Sequence, residues 1–228
     1  MARLRKRDES VPEAMALAAV GGFLDAYAFL SLGGVFANAQ TGNVVLFGIG
    51  AGTGQWGEAL RHLPPLAAFV VGMVTVEALA RMRHVRWLAR PARVVLVTEC
   101  VVFTIVGLAT PPRTVAVVLV AWAATLQVGT FRQVRSSSYN TTFTTGNLRS
   151  LVSESAGWLV DRDAGAGGRA RALLAVVLSF AGGAVLGALA VRVLHDHAVL
   201  LTVPVLLIVL VVIVAGTTRR AGPAPGAA

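Results

Sequence analysis

The tripeptide Thr-Gly-Asn occurs twice in this chain, at residues 41–43 and 145–147, and each copy follows a long apolar run. Matching interruptions in the two halves of an apolar chain are typical of an internally duplicated membrane protein with a site between the copies. A duplication constrains the fold strongly, because both halves must then repeat one order of helices.

The similarity between the halves extends beyond the tripeptide. Three apolar segments follow one another in the same order in each half, with Thr-Gly-Asn between the first and the second. Residues 69–79 align with residues 180–190, and residues 96–98 align with residues 200–202. A single Gly-Asn after an apolar run would indicate only the end of a helix. The shared order and spacing therefore indicate the duplication.

Composition places the chain in a lipid bilayer. Hydrophobic residues make up 56% of the 228 residues and charged residues 14%, and the mean hydropathy is +0.73. A single soluble core of this size cannot bury so much apolar surface. A helix that crosses a membrane needs about 17 to 25 mostly apolar residues. The sequence predicts six such spans, at residues 14–33, 63–80, 94–109, 114–131, 172–191 and 198–216.

The basic residues predict the orientation of these spans. Cytoplasmic loops carry an excess of Lys and Arg. With the N-terminus inside, most of the 20 basic residues face the cytoplasm, and only Arg61, Arg113 and Arg192 fall in outer segments. Six spans then place both termini in the cytoplasm. Because each half has an odd number of spans, the two repeats enter the membrane from opposite sides and are inverted.

The predicted fold class is therefore all-α: a polytopic membrane protein of two inverted three-helix repeats, with helices interrupted at the Thr-Gly-Asn motifs. Its parts are a basic cytoplasmic N-terminus, a first repeat, a second repeat and a disordered cytoplasmic tail, at residues 1–13, 14–110, 111–216 and 217–228. The excess of Lys and Arg in the cytoplasmic segments also accounts for the net charge of +9, so no nucleic-acid partner is expected. A cleaved signal peptide is the alternative for the N-terminus, but the first apolar run is too long and contains Asp25.

Three carboxylates lie inside predicted spans, namely Asp25, Glu77 and Glu99. A carboxylate at the centre of a membrane helix costs about 2.5 to 3.5 kcal/mol on insertion scales. Two interpretations of Asp25 and Glu99 stay open: a buried group that holds helices in register, or a group that binds solute or carries a proton. Glu77 lies one turn before Arg81, which favours an i,i+4 pair at the cytoplasmic end of its span.

The chemistry of Thr-Gly-Asn suits a binding site. Gly lets backbone N–H groups turn toward a ligand, and Thr and Asn supply short donors and acceptors. Residues 44–47 and 148–152 are predicted to be the first turns of short helices whose N-termini point at one place. An ordinary surface turn with a helix cap is the alternative. The second copy ends a stretch rich in Ser, Thr and Asn, residues 136–147, which suits a hydrated path.

Two arginines precede that polar stretch, Arg132 and Arg135. They are candidates for charge recognition, because a guanidinium group can neutralise an anion or pair with Asp25 or Glu99. The alternative is that they are positive-inside residues at the end of the fourth span.

Several motifs resemble the YoaK family of bacterial multipass membrane proteins, a family of unknown function. The resemblance covers about residues 14–216. It rests on residues 22–26 (GFLDA), 33–36 (GGVF), 41–43 (TGN), 126–127 (LQ) and 141–147 (TTFTTGN). It implies a bacterial inner-membrane location and no established substrate.

One position departs from the family pattern. The second repeat of that family tends to read Gly-Leu-Gln-Asn-Ala where this chain has Thr-Leu-Gln-Val-Gly at residues 125–129. Val128 therefore stands where a polar counterpart of Asp25 is expected. The chain either lacks that polar group or uses Gln127 in its place.

The function predicted from the sequence is a transporter or channel for a small polar or anionic solute, with a site at the interface of the two repeats. Asp25 and Glu99 are the candidates for proton coupling. The predicted lining is Asp25, Thr41, Gly42, Asn43, Gln127, Thr145, Gly146 and Asn147. The alternative function is a non-transporting membrane module that assembles with or regulates a partner protein.

Neither an enzyme nor a cofactor is predicted. The chain has no phosphate loop, nucleophile elbow or redox Cys pair, and the His-Asp-His run at 195–197 lacks a third metal ligand. The small residues Gly183, Ala184 and Gly187 allow close helix contacts, either within the bundle or at a dimer seam. A homodimer is expected, with the lipid bilayer and a small solute as the other partners.

Overall fold

The chain is a bundle of α-helices, seen in a computed structural model that describes residues 8–82, 90–142 and 144–220, with side chains as far as residue 216. The α-helices are α1 Val11–Ser31, α2 Gln40–Gly52, α3 Trp56–Leu60, α4 Leu63–Arg81, α5 Pro91–Ala109, α6 Arg113–Thr130, α7 Thr144–Leu159, α8 Ala166–Leu194 and α9 Thr202–Arg220. A two-stranded antiparallel sheet, β1 Gln133–Val134 and β2 Ser137–Ser138, separates α6 from α7. The 3-10 helix His195–Leu201 joins α8 to α9.

Both predicted terminal segments extend in part outside the described residues. Residues 217–220 belong to α9, so the predicted disordered tail begins within a helix. Residues 221–228 of that tail, and residues 1–7 of the basic N-terminus, lie outside the described residues.

Five stretches of the described chain are long and apolar enough to cross a membrane: Val11–Ser31, Trp56–Arg81, Pro91–Ala109, Arg113–Thr130 and Ala166–Gly216. The last has 51 residues and contains both α8 and most of α9. A straight helix of that length would measure about 76 Å, against about 30 Å of hydrocarbon. It is interrupted at His195, whose φ is 51°. The prediction of a helical chain with several membrane-spanning helices is confirmed.

The helices that carry Thr-Gly-Asn are shorter than a span. α2 has 13 residues and α7 has 16, which correspond to about 20 Å and 24 Å of rise. They begin at Gln40 and Thr144, so the tripeptide forms the first turn of each helix. The prediction that the helices start after the tripeptide, at residues 44–47 and 148–152, was wrong by one turn.

The helix pairs of the first half correspond to those of the second, and several pairs connect the two halves of the chain. α1 packs along α8, and α6 packs along α4. In the same way, α2 contacts α4 while α7 contacts α8, and α1 contacts α9 while α5 contacts α6. α5 and α9 pack against each other. If α1, α2, α4 and α5 are exchanged for α6, α7, α8 and α9 in that order, the set of pairings is unchanged.

The buried core lies mainly between α1, α5, α6 and α9. Its largest buried apolar side chains include Tyr27, Leu96, Phe103 and Leu206. Large apolar side chains on the opposite faces of the outer helices are exposed, as expected where helices face lipid tails. Examples are Val74 on α4, Leu178 on α8 and Ile208 on α9.

α1 and α8 approach each other closely because glycines lie at their contact. A Cβ atom at Gly183 would overlap the carbonyl oxygen of Ala19, and one at Gly187 would lie 2.7 Å from the carbonyl oxygen of Phe23. Gly22 meets the backbone of Phe180 in the same way from the α1 side. The small-residue pattern at 183–187 therefore serves a contact within the chain, and the homodimer stays a prediction.

We expect Gly183→Ala to lower the free energy of unfolding by about 1 to 3 kcal/mol, because the added methyl group must push α1 away from α8. Gly182→Ala is the matched control on the same helix, since a Cβ there meets nothing within 4 Å. Thermal unfolding in detergent measures both variants. Equal melting temperatures for the two would contradict the close contact.

Candidate functional site

Asn43 and Asn147 make the same pair of hydrogen bonds in the two halves. Asn43 Oδ1 accepts from the N–H of Phe36 at 2.9 Å, and Asn43 Nδ2 donates to the carbonyl oxygen of Phe36 at 2.8 Å. Asn147 Oδ1 accepts from the N–H of Asn140 at 2.8 Å, and its Nδ2 donates to the carbonyl oxygen of Asn140 at 2.6 Å. Each asparagine thus reaches the residue seven positions earlier and closes the loop before its helix. We call these paired bonds the asparagine clamps.

The clamps use the amide groups that the sequence predicted to contact solute. Asn43 is fully buried, and its Nδ2 also donates to Gln40 Oε1 at 2.9 Å. Asn147 is 3% exposed. A backbone N–H or carbonyl that is buried away from water must find a partner inside the protein. The clamps supply such a partner to the half-buried residues Phe36 and Asn140, each of which lies four positions before the start of its short helix.

Asp25 holds the turn that leads into α2. The N–H of Asn38 donates to Asp25 Oδ1 at 2.7 Å, and the backbone N–H groups of Ala37 and Ala39 also face this carboxylate. Asn38 Nδ2 in turn donates to the carbonyl oxygen of Gly21 at 3.2 Å. A carboxylate that accepts several backbone N–H groups before a helix is well stabilised. The side chain of Asp25 therefore ties the middle of α1 to the start of α2.

A cavity of about 590 Å³ lies where the first turns of α2 and α7 come together beside α1 and α8. We call it the central cavity. Its wall combines one carboxylate, four threonines, three phenylalanines and small or aliphatic residues: Asp25, Ala26, Phe29, Leu30, Phe36, Ala39, Thr41, Thr142, Thr144, Thr145, Phe180 and Ala184. The wall is thus mostly apolar, with a few polar groups that converge from both halves.

Three of the predicted site residues meet at this cavity, namely Asp25, Thr41 and Thr145. Gly42 lies beneath the ring of Phe36, where a Cβ atom would be 2.9 Å from the nearest ring carbon. Gly146 lines a different pocket together with Asn147. The duplicated motif therefore brings its threonines to one cavity and directs its asparagines elsewhere.

Two further predicted residues are buried away from the central cavity. Gln127 on α6 is 1% exposed, and its Nε2 donates to the carbonyl oxygen of Leu17 at 3.2 Å. Glu99 on α5 is fully buried, and within the described part of the chain its carboxylate oxygens have no hydrogen-bond partner. Neither lines the cavity, so a coupling role for Glu99 stays a prediction.

Arg132 and Arg135 lie beside the short sheet, at a polar surface apart from the central cavity. Arg135 lines a pocket of about 730 Å³ and Arg132 an adjoining pocket of about 350 Å³. Across residues 8–82, 90–142 and 144–216, neither arginine forms an ion pair with Asp25 or Glu99. Nearby, the Arg169 guanidinium donates to Asp163 at 2.6 Å and lowers the pKa of that carboxyl below its ordinary value.

Much of the cavity wall consists of residues that the sequence did not single out. Thr142 and Thr144 flank the second motif, and their hydroxyl chemistry was visible only as part of a polar stretch. Phe29 and Phe36 stack with ring centroids 5.1 Å apart, and Phe180 comes from α8. Periodicity cannot distinguish an aromatic ring at a cavity from one in a core, so no sequence signal separated these rings from packing residues.

Apolar helices of membrane-spanning length, two short helices and a cavity between the halves define a multipass membrane protein. The chain belongs to the family described as "Protein of unknown function (DUF1275)", whose model matches residues 14–214. It is similar to the UPF0700 transmembrane protein YoaK of Bacillus subtilis (strain 168), with 24% identity over 148 residues. The match covers 63% of this chain and 66% of the relative, just under two thirds of its length. No solved structure matches the chain. The family resemblance of the sequence is thereby confirmed.

We expect Asn43→Ala and Asn147→Ala each to lower the free energy of unfolding by about 1 to 3 kcal/mol, because each leaves a half-buried backbone N–H and carbonyl without its partner. Thr41→Val, in the same turn of α2 as Asn43, lies outside both clamps and is expected to change stability little. Thermal unfolding in detergent compares the three variants. A loss of stability in Thr41→Val as large as in Asn43→Ala would argue against the clamps.

Proposed function

We propose that this protein is a transporter or channel for a small polar or anionic solute, and that the solute binds in the central cavity. The observation that carries the proposal is the convergence of two short helices, one from each half, on one cavity with Asp25 in its wall. Helix N-termini present unpaired N–H groups and the positive end of the helix dipole. In transporters with broken helices this arrangement binds solutes near the middle of the membrane.

The dimensions and chemistry of the cavity fit a small molecule. Its volume of about 590 Å³ lies within the range of about 300 to 1,000 Å³ that small-molecule sites occupy. The hydroxyl groups of Thr41 and Thr145 offer donors and acceptors, and Phe29 and Phe180 offer apolar surface. The Thr142 hydroxyl donates to Asn140 Oδ1 at 3.1 Å and offers an acceptor. Such a wall favours a solute with one polar end and a compact apolar body.

The proposal includes six spans in two inverted repeats. The support is that the helix pairings are unchanged when the halves are exchanged, and that both asparagine clamps span seven residues. The helix contacts correspond as well. Gly72 of α4 lies against Thr125 of α6, as Gly183 of α8 lies against Ala19 of α1. Counting α8 and α9 as separate spans gives three for each half.

Proton coupling through Asp25 is part of the same proposal. Asp25 both lines the cavity and accepts the backbone N–H groups before α2. A proton on this carboxyl would weaken those hydrogen bonds and alter the cavity wall at the same time. No catalytic step is included in the proposed function.

We expect the double variant Thr41→Val, Thr145→Val to reduce solute uptake into proteoliposomes at least about tenfold, because two hydrogen-bonding groups are lost from the cavity wall. A panel of small anions, amino acids and nucleobases identifies the solute with the wild-type protein. Thr53→Val, at the far end of α2 and outside the cavity wall, is the matched control with normal uptake. Asp25→Asn tests coupling, because it should make uptake insensitive to a proton gradient.

The alternative function is a membrane module that assembles with or regulates a partner protein without transport. Under that alternative no solute in the panel is taken up by the wild-type protein, and the threonine variants differ from it in stability alone. That result would replace the transport proposal.

The proposed orientation predicts which loops face the outside. In a Cys100→Ala background, Glu58→Cys in α3 and Asp196→Cys between α8 and α9 should react with an impermeant maleimide on intact cells, since both loops lie outside. Asp161→Cys, after α7, should react only once the membrane is opened, because that loop lies in the cytoplasm. If Asp161→Cys and Asp196→Cys label alike, the chain does not cross the membrane between them, and the six-span topology fails.

A further inference from the structure

A strained turn presents Arg135 at the polar surface of the protein. The strands β1 and β2 are joined by Arg135 and Ser136, whose φ angles are 48° and 66°. Two consecutive residues with positive φ are typical of a type I′ turn, which favours Asn-Gly. A side chain at either position is unfavourable. Strain of this kind is kept where the surrounding structure fixes it, and it often marks a functional position.

The segment before α1 fixes this turn. The N–H of Ser136 donates to Asp8 Oδ1 at 2.9 Å, and the N–H of Glu9 donates to the carbonyl oxygen of Gln133 at 2.8 Å. Glu9 Oε2 accepts in return from the N–H of Gln133 at 2.9 Å. These three bonds hold the hairpin in place, so the position of Arg135 is set by the fold.

The hairpin forms one wall of a pocket of about 730 Å³. α7 and the beginning of α8 form the other walls. Three guanidinium groups and five serines line the pocket with a single carboxylate: Arg135, Ser136, Ser137, Ser138, Arg149, Ser150, Ser153, Glu154, Gly165 and Arg169. We call it the arginine-serine pocket. It shares no lining residue with the central cavity.

Among the described residues of the wall, the one carboxylate is already used by the protein. Glu154 Oε2 accepts from Arg169 Nε at 2.8 Å, and Glu154 Oε1 accepts from Ser137 Oγ at 2.8 Å. Arg169 also donates to Asp163 at 2.6 Å. These bonds join α7 to α8 and to the hairpin. The two carboxylates outweigh the single charge of Arg169, so the three arginines with Glu154 and Asp163 carry a net charge of +1.

Arg135 and Arg149 therefore remain as guanidinium groups that can bind a ligand. Within the part of the chain that the structure describes, neither Arg135 nor Arg149 forms an ion pair. The guanidinium of Arg135 lies against the first turn of α8, where a Cβ atom at Gly168 would be 3.0 Å from its Nη1. Glycine at this position leaves room for the guanidinium at the pocket.

We propose that the arginine-serine pocket binds a phosphoryl group, held between Arg135 and Arg149, with serine hydroxyls as further donors. A guanidinium group offers a planar fork of donors that matches the oxygens of phosphate. Several serines supply donors for the remaining oxygens, which a carboxylate would not need. The site lies apart from the cavity in which solute is proposed to bind, so it does not depend on transport.

A phosphoryl group can reach this pocket from two sources: the headgroup of an anionic phospholipid or a soluble phosphate ester. Two binding measurements distinguish them. Glycerol 3-phosphate is titrated by calorimetry onto delipidated protein in a neutral detergent. Phosphatidic acid retention is measured by native mass spectrometry after reconstitution in neutral-lipid nanodiscs that contain a minor fraction of it.

The variants are chosen to remove charge without disturbing the fold. Arg135→Asn suits the turn, because asparagine tolerates positive φ better than most residues. Arg149→Gln changes an exposed side chain on α7. Each is expected to weaken binding of the true ligand at least about tenfold, or ~1.4 kcal/mol. Arg192→Gln, an exposed arginine at the other end of α8, is the matched control with unchanged affinity.

Binding of either probe supports the site and identifies the source of the phosphoryl group. Loss of glycerol 3-phosphate binding in the two variants indicates a soluble phosphate ester, and loss of phosphatidic acid retention indicates a lipid headgroup. The proposal is overturned if the wild-type protein binds neither probe, or if Arg192→Gln weakens binding as much as Arg149→Gln. Uptake through the central cavity is measured separately, so failure of one proposal leaves the other intact.

Discussion

The asparagine clamp is the interaction on which the rest of this fold depends. A loop inside a membrane protein carries N–H and carbonyl groups that lipid cannot satisfy. One primary amide provides a donor and an acceptor side by side, and Asn43 and Asn147 place them on both polar groups of a single residue. The chain can therefore turn from a loop into a short helix twice. The meeting of those two short helices produces the central cavity.

The two halves share the asparagine clamp but differ in the polar side chains near the start of the short helix. In the first half, Asp25 accepts the N–H groups before α2, so that turn contains its own carboxyl group. Val128 is the counterpart predicted from the sequence, and it offers no such group. α7 instead begins with Thr144 and Thr145, with Thr142 just before them, and all three line the central cavity. The cavity consequently combines one carboxylate with hydroxyl groups, an asymmetry that a duplicated backbone alone would not produce.

Much of this arrangement could be predicted from the sequence, because hydrophobic runs and a repeated tripeptide are local signals. These signals predicted where the long helices lie. They also predicted that Asp25, Thr41 and Thr145 line one site, and the three residues do line the central cavity. The role of Asn43 could not be predicted, since its direction depends on how the preceding loop folds back. The gathering of Arg135 with Arg149 was equally hidden, because it depends on a strained hairpin fixed by the segment before α1.

The two long contacts between the halves differ in how closely the backbones approach. α1 and α8 meet backbone to backbone, with Gly183 against Ala19. At the corresponding contact of α4 with α6, side chains intervene: the position of a Cβ at Gly129 lies 2.6 Å from Val76. Packed backbones have few alternative arrangements, whereas side chains can change rotamer. The contact of α1 with α8 therefore has fewer alternative packings than the contact of α4 with α6, although the two contacts correspond in the order of helices.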